Sequence, residues 1–169
     1  FPSPVNGCRS TEEYNGTSWS NSGNLITGRL HLGGAGTQNS GLAVGGQINY
    51  SPPYNISCTE EYGGSSWSSG GNLNTARGFM MGMASGTQNS ALTAGGFITP
   101  SWTSTSATEE YNGTSWTTSP GTLSVGRQGG TLFGTQNSSA LVSGVVNPNP
   151  TALSCTEEYN GASWSTGGA

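Results

Sequence analysis

All eight acidic residues of the chain fall in four adjacent pairs, Glu12-Glu13, Glu60-Glu61, Glu109-Glu110 and Glu157-Glu158. Carboxylate clusters are the material of acid/base catalysis and of calcium sites. The adjacency argues against catalysis. Neighbours on an extended strand point to opposite faces, so the two members of a pair cannot flank one substrate. One Glu of each pair is expected to face solvent and the other a neighbouring strand. Three of the four Arg recur with the same spacing, at Arg29, Arg77 and Arg127. Each is expected to pair with a Glu of its own or an adjacent unit, setting register through a charge-assisted bond. A calcium site built of stacked carboxylates is the competing use of the same residues.

Other chemistry finds little support. His31 is the only histidine, and no Cys or Asp stands near it in sequence, so neither a metal site nor a triad is indicated. No Gly-x-Ser-x-Gly elbow occurs. Gly33-Gly34-Ala35-Gly36 lacks the Gly-Lys-Ser/Thr ending of a phosphate loop. No catalytic residue, metal ligand or cofactor is assigned, and the chain is read as a non-enzyme. The cysteines are Cys8, Cys58 and Cys155, an odd number that cannot pair fully within one chain. They are expected to be small buried thiols rather than an internal bridge, with an inter-subunit bridge as the alternative.

The side chains must be positioned by a repeat. Thr-Glu-Glu-Tyr begins at Thr11, Thr59, Thr108 and Thr156, intervals of 48, 49 and 48 residues. Tyr14, Tyr62, Tyr111 and Tyr159 close these runs, and Trp19, Trp67, Trp116 and Trp164 follow in step. Gly-Thr-Gln-Asn-Ser begins at Gly36, Gly86 and Gly134. A glycine pair follows at Gly45-Gly46 and Gly95-Gly96, with Gly144-Val145 in the third copy. The units run approximately 11–58, 59–107 and 108–155, with a partial unit at 156–169, in one repeat domain covering 1–169. Each unit reads as two hairpins. Asn15-Gly16, Asn112-Gly113 and Asn160-Gly161 predict type I′ turns between the Tyr and Trp strands, and Gly63-Gly64 is the equivalent in the second unit. Phe79–Ala84 and Ala91–Ala94 flank the Gln-Asn turn of the second hairpin. No segment has helical periodicity.

Four strands in some 48 residues is the size of a β-propeller blade. The order glycine pair, Tyr, Trp, Arg resembles the kelch repeat, which places a glycine pair at the end of one strand, Tyr on the next and Trp on the third. The wording Thr108-Glu-Glu-Tyr-Asn-Gly-Thr-Ser-Trp116 also resembles kelch-like arrays of phage tail and bacterial surface proteins. The expected fold is therefore all-β, about 3.5 kelch-like four-stranded antiparallel blades in a β-propeller or an open blade array. Tyr to Trp is shorter here than in many kelch units, and the third glycine pair is broken.

Composition bounds the partners. The net charge is −4, only 7% of residues are charged, and four Arg with one His cannot form the basic patch that nucleic acid requires. No apolar run approaches the ~20 residues of a membrane helix. The chain opens on Phe1 rather than Met, which reads as a processed product or an excerpt. Periodic Tyr and Trp are expected in the core. The non-periodic Tyr50, Tyr54 and Trp102 lie in segments that differ between copies, where binding to a glycan or a surface protein would sit. Asn15, Asn49, Asn55, Asn112 and Asn137 head Asn-x-Ser/Thr sequons, of which Asn49 and Asn55 are the better glycan acceptors. Four Glu-Glu-Tyr hairpins against three Gln-Asn hairpins do not close a ring of regular blades. An excerpt of a longer array, head-to-tail assembly and an open solenoid are the alternatives. The function expected is a structural or adhesive module of an extracellular fibre, phage tail or surface appendage, self-assembling as a homo-oligomer or filament through unpaired terminal hairpins. It is placed outside the cell or on the virion surface. The alternative is a propeller module that binds ligand through its aromatic loops.

Overall fold

The computed structural model describes residues 7–49 and 54–168 and consists of β-strands and loops. The first Glu-Glu-Tyr hairpin is β1 (Thr11–Tyr14) and β2 (Trp19–Ser22). Then come β3 (Gly33–Thr37), β4 (Ser40–Val44), β5 (Thr59–Tyr62) and β6 (Trp67–Ser69), which form one antiparallel sheet in that order. The second sheet runs β7 (Ala84–Thr87), β8 (Ser90–Ala94), β11 (Thr108–Tyr111), β12 (Trp116–Thr118). The third runs β13 (Thr131–Thr135), β14 (Ser138–Val142), β17 (Thr156–Tyr159), β18 (Trp164–Thr166). Each sheet thus joins the second hairpin of one sequence unit to the first hairpin of the next. Two short ribbons, β9 (Phe97–Ile98) with β10 (Thr103–Ser104) and β15 (Val145–Val146) with β16 (Thr151–Ala152), occupy the segments that vary between copies.

The terminal hairpins are not alike. β17–β18 pairs with β14 and completes the third sheet, whereas β1–β2 has no third strand among the described residues. Only one of the two hairpins expected to be unpaired is so. The sheet order explains why: a Glu-Glu-Tyr strand takes its partner from the Gln-Asn hairpin that precedes it, and among the described residues no such hairpin precedes β1.

The returning strands β4, β8 and β14 supply Leu42, Val44, Leu92, Ala94 and Leu141 to one continuous core, joined by Leu73, Leu123, Met80, Met83, Tyr111, Trp116 and Tyr159. Each such aliphatic or aromatic side chain taken from water contributes on the order of 1.5–3 kcal/mol. Strand β7 packs between β3 and β13, so the Gln-Asn hairpins line the closely packed side of the array.

Local details depart from expectation in three places. The Asn-Gly loops are four residues long, with Tyr111 opposite Trp116, and only the glycine takes a left-handed φ (+88° at Gly113). Asn112 instead caps the loop, its Oδ1 accepting from the amides of Thr114 and Ser115 at 3.0 and 2.9 Å, which makes the turn without the strain of φ > 0 at Asn. Phe79 precedes β7 in a loop with φ +50° rather than starting the strand. The glycine-pair position of the third copy is Ser143-Gly144, not Gly144-Val145. Arg127 Nη1 reaches Ser143 O as Arg77 Nη1 reaches Gly95 O, and Ser143 holds the φ of +57° that glycine holds elsewhere.

Candidate functional site

The periodic polar residues build one repeating contact between neighbouring blades. The first Glu of a pair lies inward on its strand and meets the Arg that precedes its sheet: Glu60 with Arg29, Glu109 with Arg77, Glu157 with Arg127, all six buried. Each carboxylate also accepts backbone amides, from Ile26 at 2.7 Å, Asn74 at 2.7 Å and Ser124 at 2.7 Å respectively. This arrangement commits one carboxylate of three of the four pairs to an Arg. Among the described residues no three His, Cys, Asp or Glu side chains gather to hold a metal ion.

The second Glu points the other way, as alternation requires, but it meets the next blade rather than solvent. Tyr62 donates to Glu13, Tyr111 to Glu61 at 2.5 Å and Tyr159 to Glu110 at 2.5 Å. At the first of these junctions the bond shifts both partners. The hydroxyls of Tyr62 and Ser22 hold the Glu13 carboxyl below its ordinary range. Burial, then the bond to Glu61, pushes the Tyr111 phenol up to about 12. Beside each tyrosine, tilted at about 5 Å, lies the Trp of the same hairpin. Its Nε1 donates at 2.9 Å to the Thr that opens the previous blade's Glu-Glu-Tyr strand: Trp67 to Thr11, Trp116 to Thr59, Trp164 to Thr108. The turn glutamines add a third tie that periodicity alone did not assign. Gln88 Nε2 donates back to Gly41 O and Tyr62 O at 3.1 and 2.8 Å, and Gln136 to Ala91 O and Tyr111 O at 3.0 and 2.7 Å. The invariance of Gln-Asn-Ser across the copies was the available signal, since a turn alone does not require Gln.

At the ends of the array this contact is half made. Tyr14 and Trp19 stack on each other at 5.2 Å and are 44% and 66% exposed, where their counterparts inside the array are covered by the preceding blade. Glu12, counterpart of the buried Glu60, is exposed and has no Arg partner among the described residues. At the opposite end Glu158 is exposed, and the described residues offer no Tyr to it and no Trp to Thr156. A groove of about 420 Å³ lies there, lined by Phe133, Ser138, Ser139, Glu158 and Tyr159.

A second constellation gathers in the variable loops. His31 stacks on Phe79 at 4.6 Å, Phe79 meets Phe97 edge-on at 5.7 Å, Phe97 meets Trp102 at 5.6 Å, and Trp102 meets Tyr54 at 5.0 Å. Trp102 is 50% exposed, and His31, Phe79 and Trp102 all hold φ values near +50°. Such outliers in non-glycine residues persist only where the surroundings enforce them. Tyr54 and Trp102 are thus brought together, while Tyr50 lies outside the described residues. His31 is held by Gln47, Nδ1 to Oε1 at 2.9 Å.

The sequons fare unevenly. Asn55 is 8% exposed, and its amide nitrogen donates to Phe97 O at 2.6 Å, so it braces the loop and offers no acceptor amide in this fold. Asn15 and Asn112 cap their turns, Asn137 is exposed in the Gln-Asn turn, and Asn49 is half-buried. All three cysteines are free. Cys8 is exposed rather than buried, and Cys58 and Cys155 are half-buried.

Sheets and inter-blade contacts together define an all-β array of kelch-like, β-propeller-type blades. The solved structure titled "Structure of YjhT" is similar to it, with a TM-score of 0.69 at 15% identity, over 89% of this chain and 49% of that one. At that identity the likeness speaks for the fold alone. The chain spans about half the length of this neighbour. No protein-family model matches the sequence, and no curated protein matches it.

Proposed function

We propose that the chain is a structural or adhesive repeat module of an extracellular fibre, phage tail or surface appendage, assembling with its own kind through its terminal blades. The half-made contact at each end carries this reading. Aromatic donors stand exposed at one end and acceptors of the matching kind at the other, and inside the array each such pair is satisfied. Inside the array the Arg, Glu, Tyr and Trp side chains are engaged in holding strands and blades together, which supports a building role over a catalytic one. A kelch-type repeat with so few charges suits an extracellular or virion-surface setting. Light-scattering mass of the purified chain, with negative-stain images of the same sample, tests the reading. Mass that grows with concentration, accompanied by filaments, is expected. A chain that stays a monomer at every concentration contradicts it.

A second reading, a module that binds glycan or protein through its loops, is favoured by one observation. Exposed Trp102 and its partner Tyr54 are held on a continuous aromatic ladder. Flat aromatic faces suit sugar rings. Glycan-array binding that Trp102→Ala abolishes would support this reading, and an array without signal would remove it.

A further inference from the structure

We propose that the exposed face of β17–β18 is the seat for the β1–β2 hairpin of a second copy of this chain, docked head to tail. This rests on the assembly reading above and names its contact. Inside the array the contact has three parts, each seen at three successive junctions: Tyr to Glu, Trp Nε1 to Thr hydroxyl, and a glycine against the next hairpin's backbone. The glycines are Gly23, Gly71 and Gly121, where an added Cβ would collide with the carbonyls of Ser65, Thr114 and Ala162. The donor half of every part is present and uncovered on β1–β2: Tyr14, Trp19 and the Thr17-Ser18 backbone. The acceptor half of every part is present on the last blade: Glu158, Thr156 and Gly168, which has no atom within 4 Å of an added Cβ. The proposed junction therefore places the Tyr14 hydroxyl on Glu158, the Trp19 indole on Thr156 and the Thr17 carbonyl over Gly168.

Phe133 explains why a half-blade rather than a full blade fits. Its register matches Ser85 and Ala35 of the other sheets. The Ser85 hydroxyl touches that of Ser139 in the next blade at 2.8 Å, a separation with no room for a phenyl ring. At 55% exposure, Phe133 projects where a following Gln-Asn hairpin would lie. The β1–β2 hairpin has no such hairpin paired to it among the described residues, so the ring occupies the space left vacant beside the docked hairpin. The interface joins two different surfaces, so it propagates into a filament or closes into a ring according to the rotation between copies.

Two substitutions each disable one face. Gly168→Leu adds a side chain in open space on the free chain and blocks the seat, and Trp19→Ala removes the exposed donor ring. By light scattering, each variant alone is expected to hold at the 17.1 kDa of one chain. An equimolar mixture is expected to form a species of twice that mass and go no further, because one intact junction remains. If the unaltered chain associates and the two variants do so equally, or their mixture does not pair, this junction is wrong while assembly stands. If the unaltered chain never associates, both fall.

Discussion

Arg77 meets more than its carboxylate. Its guanidinium reaches Glu109 and also donates to Gly95 O at 2.9 Å, Ala107 O at 3.0 Å and Thr75 O at 3.4 Å, in full burial. Burial pulls its pKa down, and Glu109 opposes that. Leaving one partner of a buried pair alone costs about 3–5 kcal/mol, so Arg77→Met is expected to lower stability by about that amount in urea unfolding. Replacing both partners restores stability in many proteins. Here Arg77→Met with Glu109→Leu is expected to recover only part, because the Gly95 carbonyl loses its Arg77 donor and the Asn74 amide loses its Glu109 acceptor. Full recovery would show that those two bonds add nothing. Tyr111 gives the pH dependence. Its phenol ionises near 10 when unfolded and at about 12 when folded. The folded chain therefore binds more protons across that window, and stability present below pH 10 is lost as pH rises toward 12. The urea midpoint is expected to fall over this range and to fall less in Tyr111→Phe. That each periodic Arg pairs with one Glu was legible in the sequence, because the shared period left few other partners, although not which Glu of the pair or of which unit. The partner of the second Glu was not legible: alternation says that it points away, but only the stacking of blades puts a tyrosine there.

The elements show where local rules hold and where tertiary contact overrides them. Hairpins form where Asn-Gly and Gln-Asn announce them, since turn residues act within a few positions, although the Asn-Gly loop is a four-residue Asn-capped turn rather than type I′. The ribbons β9–β10 and β15–β16 were not readable, because their Pro-rich segments share no period and pair only through the loops they lie beside. Ser143 shows how one residue can mislead an alignment. Glycine at this point of the other copies is crowded as well as left-handed: a Cβ at Gly95 would fall 2.5 Å from both Arg127 O and Met83 Cε. The described residues past β18 supply no counterpart of the Leu123 and Arg127 that close on Gly95, so a serine is accommodated at the cost of its φ alone. A left-handed L-residue costs about 1–2 kcal/mol, and glycine forfeits about 0.5–1 of that in chain entropy. Ser143→Gly is thus expected to raise stability by up to ~1 kcal/mol, and Gly95→Ser to lower it by more. A neutral Ser143→Gly in urea unfolding would mean that the left-handed backbone there carries no cost.

The described residues build three four-stranded blades and one two-stranded half-blade. The repeat count was readable from Thr-Glu-Glu-Tyr alone, and so was the mismatch between the two kinds of hairpin. Which terminal hairpin is left over was not, because that depends on the direction in which a Glu-Glu-Tyr strand finds its sheet. The array has two unlike ends, one carrying Tyr14 and Trp19 and the other carrying Thr156, Glu158 and Gly168. In the proposed assembly these ends cover each other between copies. Hydrogen–deuterium exchange at low and high protein concentration tests this most directly, since protection reports which backbone amides become buried. The account predicts that uptake in peptides covering 11–22 and 156–168 falls together as concentration rises, while uptake in β7, β8, β11 and β12 stays constant. Uptake independent of concentration at both ends, or protection confined to the loops around Trp102, would contradict it.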